Sequence, residues 1–106
     1  MPKYMFIGSY TADGARGLLQ DGGSRRREVA DEAAQSVGGT VESYYFGFGS
    51  DDFYLIADLP DHAAAAALSL TIGASNAVAM RTIVLMTAED LDAAAQRSVE
   101  YSAPGR

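Results

Sequence analysis

Thr40-Val-Glu-Ser-Tyr-Tyr-Phe-Gly-Phe48, then Gly49-Ser-Asp-Asp52, then Phe53-Tyr-Leu-Ile-Ala-Asp-Leu59 is the stretch that decides the fold. Its first part is rich in β-branched and aromatic residues, with only Glu42 charged, and its last part repeats the type. The four residues between them are hairpin-turn chemistry. Two strands in such close succession read as antiparallel neighbours. The rest of the chain is placed outward from this pair.

Upstream, Tyr4 to Tyr10 is short, apolar and aromatic, which suits a strand buried on both faces. Thr11 and Asp13 then supply helix-start chemistry, with Ala15, Leu18 and Leu19 as a short apolar face. Asp21-Gly22-Gly23-Ser24 interrupts that helix, since paired glycines cost too much backbone entropy mid-helix. Ser24 is positioned to cap a second segment, in which Val29, Ala33 and Val37 recur every fourth residue until Gly38-Gly39. Residues 12 to 37 thus read as one broken helical layer.

Downstream, Pro60-Asp61 ends the third strand and caps a helix over Ala63 to Ile72, with Ala64, Leu68 and Ile72 on one stripe. Gly73 to Asn76 breaks it. Ala77 to Met86 returns to strand, and Thr87 with Asp90 opens a last helix over Ala88 to Ser98 through a capping-box pattern. Residues 1–100 read as a single domain and 101–106 as a tail. Strand, helix, strand, strand, helix, strand is the split βαβ order of an α+β, ferredoxin-like fold. Right-handed crossovers put its antiparallel sheet in the order 4-1-3-2.

Composition limits the chemistry. One hundred and six residues at 48% hydrophobic support one modest core, because 19 of those residues are alanine. Eight basic against fourteen acidic residues give a net charge of −6, which sets the field against nucleic acid. There is no Cys and a single His, so disulfides and sulfur-based zinc sites are excluded, and no metal or other cofactor is implied. No run approaches membrane-spanning length and the first residues are not signal-like. A soluble, cytoplasmic protein with no membrane partner is the expectation.

Several short elements together resemble a known family. They are the Lys3-Tyr4 strand leading into Gly8-Ser9-Tyr10-Thr11, then Gly17-Leu18-Leu19, Gly22-Gly23, Arg26 and Gly38-Gly39. Tyr45-Phe46-Gly47-Phe48-Gly49 up to Asp52, the Ala57-Asp58-Leu59-Pro60-Asp61 corner and Leu85 to Leu91 complete them. In this order and spacing they resemble a GYD domain, one of the small families of the dimeric α+β barrel superfamily. The resemblance implies a ferredoxin-like fold and a homodimer, and it carries over no reaction. The naming motif departs at Asp51, where an aromatic often precedes the acid, so no role resting on that tyrosine is transferred. Superfamily relatives include cofactor-free monooxygenases, small isomerases and haem proteins, and the fold alone does not choose among them.

Each chemically suggestive side chain has a plainer reading beside it. His62 is the natural general-base candidate. Directly after Pro60-Asp61, however, it falls in the first turn of an exposed helix. Arg25-Arg26-Arg27 could grip an anion, but residues about 100° apart on a helix cannot all converge on one. Solvated charge, with at most one structural ion pair, is the favoured account. Arg81 lies in an apolar strand and either pairs with a carboxylate such as Asp52 or Asp58, or faces a ligand cavity. Asp51-Asp52 reads first as turn chemistry, and the tyrosines at 4, 10, 44, 45 and 54 read first as core and interface material. Tyr10, Tyr45, Asp52 and Arg81 are the polar groups expected to face any pocket, since all sit in or beside strands where a polar group needs a partner.

The leading functional expectation is a ligand-binding or accessory barrel for a small hydrophobic or aromatic ligand. The alternatives are a cofactor-independent monooxygenase or isomerase acting on an aromatic substrate, and a subunit whose only task is self-assembly. Strict alternation along the strands sets Tyr4, Phe6 and Tyr10 against Met5 and Ile7, and Val41 and Tyr45 against Tyr44, Phe46 and Phe48. Phe53, Leu55 and Leu59 likewise oppose Tyr54 and Ile56, while Val78, Met80, Val84 and Met86 oppose Ile83 and Leu85. Both faces are apolar and two helices cover one, so a homodimer through the sheets is expected, with the segment from Thr87 onward reaching across to the partner.

Overall fold

In the computed structural model, which describes residues 1–106, the elements follow the expected order. They are β1 (Lys3–Tyr10), α1 (Ala12–Asp21), α2 (Gly23–Ser36), β2 (Thr40–Phe46), β3 (Phe53–Asp58), α3 (His62–Ala74), β4 (Val78–Leu85) and α4 (Ala88–Ala95). The antiparallel sheet runs β2-β3-β1-β4, so the strands flanked on both sides are the first and third. This is the ferredoxin-like arrangement with an added C-terminal helix.

Cross-strand register sorts the side chains. Phe6 lies opposite Leu55 and Thr82, and Tyr4 opposite Ala57 and Val84, on the face roofed by helices. There Tyr4, Phe6, Ala57 and Leu59 pack with Ala64, Ala65 and Leu68 of α3, with Ala33 and Val37 closing in from the α2 side. Met5, opposite Ile56 and Ile83, and Ile7, opposite Tyr54 and Arg81, lie on the other face, which no helix of the chain crosses.

The local chemistry matches these positions. Thr11 caps α1 by accepting from the Gly14 amide, and Asp61 caps α3 by accepting from Ala64 at 2.9 Å. Thr87 and Asp90 form a reciprocal capping box at α4. Ser24 does not cap α2 and lies inside it. The break is the single residue Gly22, whose φ of 85° ends α1 and restarts the helix at Gly23 without a side-chain cap.

Strand β2 departs from strict alternation. A bulge between Val41 and Ser43 turns Val41 to the helix side, alongside Tyr44 and Phe46, and leaves Tyr45 on the open side. The strand also ends at Phe46 rather than Phe48. The loop beyond it is tied to β1, the Asp52 amide donating to the Gly8 carbonyl at 2.8 Å and Ser9 Oγ to the Ser50 carbonyl at 3.0 Å. Phe48 is left fully exposed. No helix is long and apolar enough to cross a membrane.

Candidate functional site

Helix α2 lies over β2 and α3 lies over β4, so the centre of the sheet is roofed only where the two helices approach. That roof is built from Ala30, Ala33 and Ala34 of α2 with Leu68 and Ile72 of α3. Alanine is too short to reach the floor of Phe6, Tyr44, Phe53 and Leu55, and a chamber of about 80 Å³ remains between them. Its walls at Tyr10, Arg26, Val29, Ala33, Ile72 and Val78 are shared with an outer cleft of about 400 Å³ bordered by α1. A second cleft, of about 470 Å³, lies on the other side of Tyr10 against Phe46, Phe48 and Asp52.

Three polar groups meet in this otherwise apolar space. The hydroxyls of Tyr10 and Tyr44 lie 3.3 Å apart and share a hydrogen bond. Burial first, and the bond to Tyr10 second, hold the Tyr44 phenol well above the usual tyrosine range. The Arg26 charge pulls in the opposite direction without prevailing. Arg26 is the one lining residue of the chamber that is not hydrophobic, and its Nε is buried with no partner.

The four side chains expected to face a pocket divide between the two sides of the sheet. Tyr10 stands where the chamber and both clefts meet. Asp52 borders one of those clefts, and its carboxylate accepts from the Tyr10 amide at 2.8 Å, so it acts by fixing Tyr10. Tyr45 (71% exposed) and Arg81 project from the open face. Arg81 pairs with Asp51 at 3.1 Å rather than with Asp52 or Asp58. The physical reason is prior commitment, since Asp52 holds the Tyr10 amide and Asp58 binds Lys3 at 2.8 Å.

The arginine run is also corrected in detail. Two of the three make local ion pairs, Arg25 with Glu28 and Arg27 with Asp31, while Arg26 between them turns inward. Sequence reasoning could have found this, because Arg26, Val29, Ala30 and Ala33 fall on one helical stripe. His62 lies on the surface as expected, but Nδ1 sits 2.6 Å from the hydroxyl of the buried Tyr4 and satisfies it.

A four-stranded sheet, helices on one face and an apolar chamber between the layers define a ferredoxin-like α+β protein with an apolar pocket between its layers. The sequence matches the GYD domain model over residues 4–95, and the chain belongs to that family. No curated protein and no solved structure gives a significant match to it.

Proposed function

We propose that the chain is a ligand-binding module that works as a homodimer, two copies stacked through their open sheet faces. Each copy holds one small, largely apolar ligand across the chamber and the outer cleft that shares its walls, since the chamber alone, at about 80 Å³, is too small for a whole aromatic molecule. The observation that carries this reading is the chamber itself, an alanine roof over an aromatic floor with two hydroxyls and an arginine converging on it. A few placed polar groups in an apolar concavity are the usual make-up of a small-molecule site. Tyr44 suits the holding of a polar head. Its phenol stays protonated, so it offers a hydrogen bond and not a phenolate base.

Filling the chamber tests the reading. Ala33→Leu places extra bulk in the roof shared by chamber and cleft, and it should reduce the affinity for a neutral aromatic probe such as phenylacetamide by tenfold or more. The same variant should still unfold cooperatively. Titration calorimetry against thermal melting separates the two effects, and unchanged affinity in a folded Ala33→Leu protein would remove the chamber as the site.

A further inference from the structure

We infer that the ligand is a monoanionic carboxylic acid with an apolar body, its carboxylate held by Arg26 and by the Tyr10–Tyr44 hydroxyl pair. The inference deepens the binding reading above and rests on it.

The first observation is a cation without a counter-charge. Lys3, Arg16, Arg25, Arg27 and Arg81 each lie within ion-pair distance of a carboxylate. Arg97 and Arg106 have none but are exposed to water. Arg26 alone is partly buried, unpaired and left with a buried, unsatisfied Nε. Such a donor costs free energy unless something accepts from it. The planar guanidinium fork suits a carboxylate, which takes two parallel hydrogen bonds.

The second observation is a spare proton. Two hydroxyls bonded to each other use one proton between them and leave the other free to donate. The tyrosine pair lines the same chamber as Arg26, so the guanidinium and the one free hydroxyl proton are donors available to one anionic head.

The surroundings then narrow the charge and shape. Asp13 and Asp21 line the outer cleft beside Arg26, and the chain carries a net charge of −6, so a multiply charged anion such as a phosphate is repelled on approach. The remaining chamber wall is hydrophobic and offers no partners for a second polar end. A single negative charge on an apolar body fits both limits.

Phenylacetate and its neutral isostere phenylacetamide make the test, titrated into the folded wild-type chain and into Arg26→Met. The acid should bind wild type about ten- to hundredfold more tightly than the amide, the range expected for a charge-assisted hydrogen bond. Arg26→Met should bring that ratio close to one, the acid losing far more affinity than the amide. Arg26→Gln reads the same ratio if Arg26→Met does not fold. Equal binding of acid and amide by wild type, or a preference for the acid that survives loss of Arg26, overturns the carboxylate inference and leaves the chamber standing as a ligand site. Failure of both probes to bind the folded wild type overturns the chamber reading and this inference together.

Discussion

Tyr44 shows how one side chain's surroundings set its chemistry. Its ring stacks on Phe53 with centroids 5.8 Å apart, and its hydroxyl meets that of Tyr10 across the chamber. Folding therefore favours the neutral phenol. A tyrosine whose folded pKa is raised contributes stability that is complete below its unfolded value of about 10. That contribution is lost as pH rises from there through the raised value. In a spectrophotometric titration of the six tyrosines, one should ionise only well above pH 10, together with alkaline unfolding. Tyr44→Phe should abolish the late-titrating group. A Tyr44→Phe protein that keeps it would assign the shift to another residue. The tyrosine positions were legible in the sequence, but the identity of the buried hydroxyl pair was not, because burial depends on which helix lies above each strand. Arg26 was hidden for a related reason. Three adjacent arginines look alike until the helix's inward stripe is traced through Val29 and Ala33.

Elements were far more legible than sites. The capping residues Thr11, Asp61 and Thr87 and the apolar stripe of α3 placed the helices, because each works through neighbours three or four residues away. The β2 bulge was not visible. It places one extra residue, Glu42, against β3, and nothing in alternation alone announces it. It shapes the chamber, since it brings Val41 into the wall beside Tyr44. Strand β1 carries a complementary device at Gly8. A β-carbon there would collide with the ring of Phe53, the residue paired with it on β3, and with nothing so close in the helix layer. The absent side chain lets the Phe53 ring lie flat across β1 and form part of the chamber floor. Gly8→Ala should therefore destabilise the fold by about 1–3 kcal/mol through overpacking. For a domain of this size each kcal/mol lowers Tm by about 4–8 °C. Urea unfolding measures this directly, and an unchanged midpoint would mean that the ring moves aside at no cost.

The whole molecule is more extended than a compact chain of its length. Its radius of gyration is 16.8 Å, against about 13 Å for a compact chain of this length. It exposes 7266 Å², about 1,600 Å² more than a compact monomer of 11.2 kDa. Two regions contribute to the excess. From Met86 to Ser102 every residue is exposed, including Leu91, Val99 and Tyr101, and α4 buries nothing against the sheet. The open face of the sheet carries Met5, Tyr54, Ile56 and Ile83 around a buried Ile7, flanked by the Lys3–Asp58 and Arg81–Asp51 ion pairs. A stable dimer commonly buries about 800 Å² per partner, well within what this chain leaves uncovered. In the proposed dimer the two open faces stack and the C-terminal segments lie across the partner. Met5 sits near the middle of that face, opposite Ile56 on one side and Ile83 on the other. In a lone copy a lysine at this position reaches water along its own stem, so Met5→Lys should fold with little loss of stability. Between stacked sheets the same ammonium has no carboxylate within the apolar centre, and burying it unpaired costs several kcal/mol. Wild type should thus sediment at twice the 11.2 kDa chain mass at micromolar concentration, and Met5→Lys at the chain mass with its circular dichroism retained. A wild-type chain that sediments as a soluble monomer, or a Met5→Lys dimer as tight as wild type, would place the contact between copies elsewhere than on this face.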